Sequence, residues 1–113
     1  MSSNSETILS STTHPGDSTT ETVNGTKFKG DGYYGRSDGL HTAQINYTGF
    51  TGTINLQATL AIDPADADWF TVYTTILAQE TDNVYTNFTG NYVWIRAQVI
   101  YTDGTVNSIV LNH

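Results

Sequence analysis

The stretch Thr53-Ile54-Asn55-Leu56-Gln57-Ala58-Thr59-Leu60-Ala61-Ile62 alternates apolar with mostly polar residues over ten positions. A β-strand directs successive side chains to opposite faces, whereas a helix would scatter these apolar residues around its circumference. The stretch therefore predicts a strand with one buried face, formed by Ile54, Leu56, Ala58, Leu60 and Ile62.

Short apolar runs with turn residues between them continue on both sides of this strand. Asn24-Gly25 and Asp103-Gly104 are typical of two-residue hairpin turns, and residues 48–52 predict a further turn. About seven short strands without an amphipathic helix predict an all-β fold, an antiparallel β-sandwich of immunoglobulin-like or jelly-roll topology. The expected core comprises Ile45, Ile54, Leu56, Leu60, Trp69, Val72, Val93, Ile95, Ala97 and Val99.

The first 22 residues differ from the rest, since they are almost wholly Ser, Thr, Asn, Glu, Asp, Gly and Pro. Such a segment buries too little apolar surface to offset its ordering entropy. We expect residues 1–22 to be a flexible, extended arm and residues 23–113 to be the sandwich domain. The arm can order on a partner by adding a strand to a sheet edge, with these contact residues: Glu6, Thr7, Ile8, Leu9 and Ser10.

The composition excludes several kinds of function. The chain has 113 residues, which suits one domain, and no cysteine, which excludes disulfides, thiolate catalysis and cysteine-based zinc sites. A formal charge of -7 opposes binding to nucleic acid and to anionic membranes, and no apolar run is long enough to span a bilayer. A domain this small buries a limited core, so oligomerisation is plausible.

The titratable residues form no recognisable catalytic motif, so the sequence does not predict an enzyme or a cofactor. Asp63, Asp66 and Asp68 are the best candidates for a cation site, but they lack the glycine and closing glutamate of an EF-hand. Solvated turn residues are the favoured interpretation of these acids. His14, His41 and His113 are too dispersed in sequence to predict a ligand set.

The glycine-rich loop at residues 30–39 offers a second kind of site. Tyr33, Tyr34 and Arg36 are the residues we expect to be exposed there, and their aromatic faces could stack on sugar rings. Against this, aromatic residues of β proteins usually pack in the core or across strands.

Four stretches together resemble small β-sandwich structural proteins of tailed marine bacteriophages, especially cyanophage-like ones: GDGYYGRSDGLHT (30–42), FTGTI (50–54), DWF (68–70) and FTGNYVWIRA (88–97). The resemblance implies a non-enzymatic virion protein made in the host cytoplasm and located on the phage particle surface. A capsid decoration or stabilising protein attached by its N-terminal arm is the first expectation. A neck, tail or fibre component, or a carbohydrate-binding host-adhesion module, is the alternative.

The same resemblance implies partners. These would be the major capsid protein or other virion proteins, with many copies or a homo-oligomer on a symmetric lattice. Neither nucleic acid nor a membrane is expected to be a partner.

Overall fold

The computed structural model describes residues 5–16, 19–30 and 40–112, and it is all-β and antiparallel as the sequence predicts. Apart from one turn of 3-10 helix at Asp66–Asp68, the regular elements are strands. In chain order they are β1 (Ser5–Leu9), β2 (Thr12–Thr13), β3 (Glu21–Asn24), β4 (Phe28–Lys29), β5 (Leu40–Thr59), β6 (Phe70–Thr89) and β7 (Trp94–Asn112).

The described strands form one seven-stranded sheet with the order β1-β7-β5-β6. β5 lies at the centre and pairs with β6 on one side and β7 on the other. The short strands β1 to β4 follow one another along the outer side of β7, from its carboxyl end to its amino end. These four short strands therefore form one interrupted edge, and β6 is the opposite edge.

Each long strand contains a bend near its middle. Residues with positive φ lie there: Gly49 and Gly52 in β5, Gln79 in β6 and Gly104 in β7. The pairing register of β5 shifts at the same place. Bulges and glycines of this kind let one strand turn a corner and continue in a second layer.

The burial pattern shows that the inward face changes at this bend. In β5 each odd-numbered side chain from His41 to Tyr47 is buried, and so is each even-numbered side chain from Ile54 to Ala58. Because side chains alternate strictly along a strand, this change requires the irregular backbone between the two runs.

The bend divides the sheet into two layers that enclose one core. The first layer contains β1, β2 and residues 40–48, 80–89 and 105–112, and the second contains β3, β4 and residues 52–59, 70–77 and 94–101. Tyr92 connects the layers at their open end, since its ring lies 6.2 Å from that of Phe88 and 5.6 Å from that of Phe70. The buried residues of both layers form a single cluster.

The predicted turns at residues 48–52 and at Asp103-Gly104 are wrong, because both segments lie inside long strands. Asn24-Gly25 is not a hairpin either, since β3 and β4 both pair with β7, and the Gly25 amide donates to the Ala97 carbonyl at 2.7 Å. Asx-Gly pairs allow unusual backbone angles, and at residues 103–104 the fold uses this freedom for a bend in place of a chain reversal.

The core prediction is confirmed at six positions and wrong at two, Leu60, which is exposed, and Trp69, which stacks on Arg96 outside the core. Ile45, Ile54, Leu56, Ile95, Ala97 and Val99 are fully buried, and Trp69, Val72 and Val93 are half-buried. Leu60 is 65% exposed and Ile62 is 83% exposed. β5 ends at Thr59, whose side-chain oxygen accepts a hydrogen bond from the Ala61 amide at 3.1 Å, so the chain leaves the sheet before the alternation ends.

Candidate interaction surfaces

The N-terminal segment differs from the expected flexible arm wherever the structure describes it. β1 pairs with the carboxyl end of β7 of the same chain, with Glu6 opposite Leu111 and Thr7 opposite Val110. β2 and β3 continue along the same strand. β1, β2 and β3 are therefore strands of the same sheet as β5, β6 and β7.

Ile8 and Leu9 are the physical reason for this difference. Their relative exposures are 2% and 9%, so both side chains are buried in the core. Adjacent strand residues normally face opposite sides, but the register of β1 shifts between Thr7 and Leu9, and this irregularity turns both apolar side chains inward. Thr7 and Ser10 are exposed, and Glu6 is half-buried.

His14 fixes the N-terminal segment at the bend, a role that the sequence analysis did not assign to it. Its backbone amide donates to the Gly104 carbonyl at 2.9 Å, and its ring lies edge-on to Tyr101 with centroids 5.1 Å apart. Nδ1 accepts from the Gly16 amide at 2.9 Å, so Nε2 carries the proton that binds the Thr19 carbonyl at 2.7 Å in the neutral ring. The imidazole thus connects the end of β2 to the start of β3.

The other predicted contact residues are only partly described. Tyr33, Tyr34 and Arg36 lie outside the described residues. Asp63 and Asp68 are exposed, and Asp68 Oδ2 accepts from the Ala65 amide at 2.8 Å, which places it as a turn residue beside the 3-10 helix that Asp66 begins. Within the described ranges, no group of three His, Cys, Asp or Glu side chains is arranged to hold a metal ion.

Both tryptophans of the chain stack against cations on the outer face of the second layer. The Arg96 guanidinium lies 4.6 Å from the ring centroid of Trp69, and the Lys27 ammonium lies 4.5 Å from that of Trp94. Trp94 and Arg96 point away from the core, because side chains alternate along β7 and its residues Ile95 and Ala97 point inward.

An amide network supports the arginine. Arg96 Nε donates to Gln57 Oε1 at 2.8 Å, Gln57 and Asn55 donate to Gln98 Oε1 at 3.3 and 3.1 Å, and Gln98 donates to Asn24 Oδ1 at 2.9 Å. Arg96 is only 8% exposed. A buried guanidinium is stable when its donors are satisfied, so this surface contributes to holding the layer together.

The outer face of the first layer is uncharged and rich in amides and hydroxyls. Thr42 donates to Asn87 at 2.7 Å, Gln44 donates to Asn83 at 3.1 Å, and Tyr85 lies between these two asparagines with 72% of its surface exposed. Further along the face, Asn107 Nδ2 donates to Asn46 Oδ1 and to Thr48 Oγ1, both at 2.9 Å. We call these eight residues the polar face: Thr42, Gln44, Asn46, Thr48, Asn83, Tyr85, Asn87 and Asn107.

An open cleft of about 420 Å³ lies at the bend, lined by Gly16, Thr51, Gln79, Thr102 and Asp103. The Gln79 amide donates to Thr51 Oγ1 at 3.0 Å, which holds the positive φ of Gln79. Among the lining residues that the structure describes, Asp103 is the titratable one, and its Oδ1 accepts from the Gly104 amide. These described residues include no pairing of a nucleophile with a base and no pair of carboxylates.

No helix formed by the described residues is long and apolar enough to cross a membrane. No protein-family model matches this sequence, and no curated protein sequence matches it either.

Solved structures with a similar fold exist at low sequence identity. The SPBc2 prophage-derived protein YomS superposes with a TM-score of 0.63 at 14% identity, over 98% of this chain and 92% of that one. The K3 cleaved adhesin domain of Lys-gingipain from Porphyromonas gingivalis W83 gives 0.52 at 7% identity, over 81% of this chain and 63% of that one. A carbohydrate-binding module of Cel9A from Ruminococcus flavefaciens gives 0.46 at 10% identity, over 97% and 95%, too low a score for any inference. The likenesses to YomS and to the adhesin domain support a β-sandwich fold and leave function to the residues.

Proposed function

We propose that this chain is a non-enzymatic structural protein of a bacteriophage virion, a capsid decoration or stabilising protein attached through its N-terminal strand. The observation that carries the proposal is β1, a five-residue edge strand held by backbone pairing with β7 and by the burial of its two apolar side chains. The fold shared with a prophage-derived protein supports the same assignment.

A short edge strand of this kind can be exchanged between subunits. The site on β7 that receives Ile8 and Leu9 is the same on every copy, so β1 of one subunit can dock on β7 of the next and bury the same area there. Such an exchange would link neighbouring copies across the capsid surface and hold each copy on the shell, although β1 pairs with its own chain in the isolated subunit.

The mechanism of stabilisation is mass action. Copies that bind the assembled shell and not its free subunits shift the equilibrium towards the shell, by an amount set by their concentration relative to the dissociation constant. The net charge of -7 suits a surface protein that does not bind nucleic acid. Because the chain has no cysteine, its fold does not depend on disulfide formation.

A disulfide that locks β1 onto its own β7 tests the attachment step. Deleting the segment is a poorer test, because deletion also removes Ile8 and Leu9 from the core. Thr7 and Val110 are paired across the strands, and Cα atoms in such pairs are about 4.5–5.5 Å apart, within reach of a disulfide. The double variant Thr7→Cys, Val110→Cys should lose co-sedimentation with undecorated capsids when oxidised and regain it with reductant.

The matched control is Thr53→Cys, Ile100→Cys, which connects β5 to β7 and leaves β1 unconstrained. Oxidised control protein should bind capsids as wild type does. If the oxidised Thr7→Cys, Val110→Cys variant binds capsids as well as wild type does, strand exchange is overturned. Wild-type protein that never sediments with capsids, and that is found at the low copy number of a ring by virion mass spectrometry, would place it in the neck or tail instead.

A further inference from the structure

We infer that the polar face is a binding site for a neutral glycan, an activity beyond capsid attachment and independent of it. The face is made by Thr42, Gln44, Asn46 and Thr48 of β5, Asn83, Tyr85 and Asn87 of β6, and Asn107 of β7, as defined above. Its exposed aromatic ring, its pre-arranged amides and its lack of charge all point to the same class of ligand.

The described residues of this face carry no charge, whereas the chain as a whole is acidic. The chain has eleven acidic and four basic residues. On β5 the outward positions from 42 to 48 are Thr, Gln, Asn and Thr, and on β6 those from 83 to 89 are Asn, Tyr, Asn and Thr. None of these described positions carries an ionisable acid or base, so the surface favours a ligand without formal charge.

Tyr85 supplies a flat apolar surface at the edge of the face. It lies directly across from Gln44 and is flanked two residues away on each side by Asn83 and Asn87. The residue is 72% exposed, although tyrosine is a residue that strands readily bury. A phenol ring beside amides presents an apolar plane to the C–H face of a sugar and polar groups to its hydroxyls.

The amides are already oriented by cross-strand hydrogen bonds. Gln44 donates through Nε2 to Asn83 Oδ1, which leaves Gln44 Oε1 as an acceptor and Asn83 Nδ2 as a donor, both without another protein partner in the described part of the chain. Thr42 and Asn87 form a second pair of this kind. Groups held in place lose less conformational entropy when a ligand binds, so this arrangement favours recognition of hydroxyls.

The extent of the face suits an oligosaccharide better than a single sugar. Three strands about 4.8 Å apart and seven residues rising about 3.3 Å each give a surface roughly 10 Å wide and 20 Å long. A flat site of this size binds each chain weakly, and many copies on one particle would multiply that affinity through avidity.

Affinity electrophoresis of the full-length protein in gels containing neutral polysaccharides tests the inference, with a glucan, a mannan and a galactan as probes and a polygalacturonate as the acidic comparison. Retardation by at least one neutral polymer is expected, with little change between low and high salt. Tyr85→Ala should weaken it at least tenfold. Ile76→Ala is the matched control, since this residue is also exposed on β6, at 80%, but lies in the second layer, and it should bind as wild type does.

Circular dichroism of both variants confirms that they are folded before binding is compared. The absence of retardation by all three neutral polymers overturns the inference, as does equal retardation of wild type and Tyr85→Ala. Stronger, salt-sensitive binding to the acidic polymer would also overturn it. None of these results bears on capsid co-sedimentation, so the two proposals fail separately.

Discussion

Replacing Gly104 by alanine should destabilise the protein far more than replacing Gly49 by alanine, although both glycines have positive φ. The two angles are 95° and 56°. A Cβ at residue 104 would lie 2.3 Å from the Gly49 carbonyl oxygen and 2.5 Å from Phe50 Cα, whereas a Cβ at residue 49 meets nothing within 4 Å. The comparison separates the cost of the backbone angle from the cost of the close approach at the bend.

The magnitudes follow from these two terms. A left-handed conformation costs an alanine about 1–2 kcal/mol, and the loss of glycine's freedom in the unfolded chain returns about 0.4–1 kcal/mol. Gly49→Ala should therefore lose about 1 kcal/mol. Gly104→Ala adds a clash with backbone that cannot rotate away, for which overpacking of about 1–3 kcal/mol is typical, so its total loss is about 2–4 kcal/mol.

Urea denaturation followed by tryptophan fluorescence, with thermal melts as a second measurement, gives both values. At about 4–8 °C per kcal/mol for a domain near this size, the melting temperature should fall by roughly 10–25 °C for Gly104→Ala and by a few degrees for Gly49→Ala. Equal effects would refute the reasoning, because they would mean that residue 104 is as open as a surface turn and that β7 does not continue through it.

Three further predictions follow from the same structure. Ile8→Ala should lower the free energy of unfolding, measured by urea denaturation, by about 2–4 kcal/mol because the Ile8 side chain is buried. Thr7→Ala, on the exposed face of the same strand, should lower it by less than about 0.5 kcal/mol. Equal small losses would mean that β1 is not docked on β7. Burial, together with the nearby carboxylates of β6, raises the pKa of Tyr47 above its ordinary value of 10. The stability that this shift contributes is complete below pH 10 and is lost as the pH rises through the higher pKa of the folded state. Urea denaturation between pH 9 and about 11.5 should show this loss in wild type and a weaker loss in Tyr47→Phe. Arg96→Lys should lower the free energy of unfolding by about 1–3 kcal/mol, because lysine cannot donate to Gln57 as Nε does while also lying over Trp69. An unchanged urea midpoint would contradict the hydrogen-bond network described for this residue.

The sequence predicted the fold class and the central core because alternation is a local property. Ile54, Leu56 and Ala58 are buried as their spacing indicates, and so are Ile95, Ala97 and Val99. The same reasoning placed Leu60 inside, because alternation continues past the residue where hydrogen bonding ends the strand. The length of a strand depends on its neighbours, which a single segment does not specify.

Asp103-Gly104 illustrates what the sequence alone left undetermined. The pair allows positive φ, which both a hairpin turn and a bend within a strand require. Only the partner decides between them: β5 runs beside β7 on both sides of this pair, so the chain continues and does not reverse. Three long bent strands consequently replace the larger number of short strands predicted.

The candidate sites were predicted less well, for a related reason. Ile8 and Leu9 were predicted as contact residues of the N-terminal segment, but their burial on the same chain depends on a distant strand, β7. Tyr85 was not singled out, because its exposure follows from the edge position of β6. An aromatic residue flanked by asparagines at two-residue spacing was the available signal.

The path of β7 past Gly104 positions both the docking site of β1 and the polar face, so both proposed sites depend on this path. Nuclear Overhauser contacts between backbone protons of the isotope-labelled protein test it directly. The structure predicts contacts of β7 with β5 on both sides of the bend, between Ile45 and Ile109 and between Ile54 and Val99. Cross-strand contacts between Thr102 and Thr105 and between Tyr101 and Val106 would instead show a hairpin at this position, and β7 would not continue through Gly104.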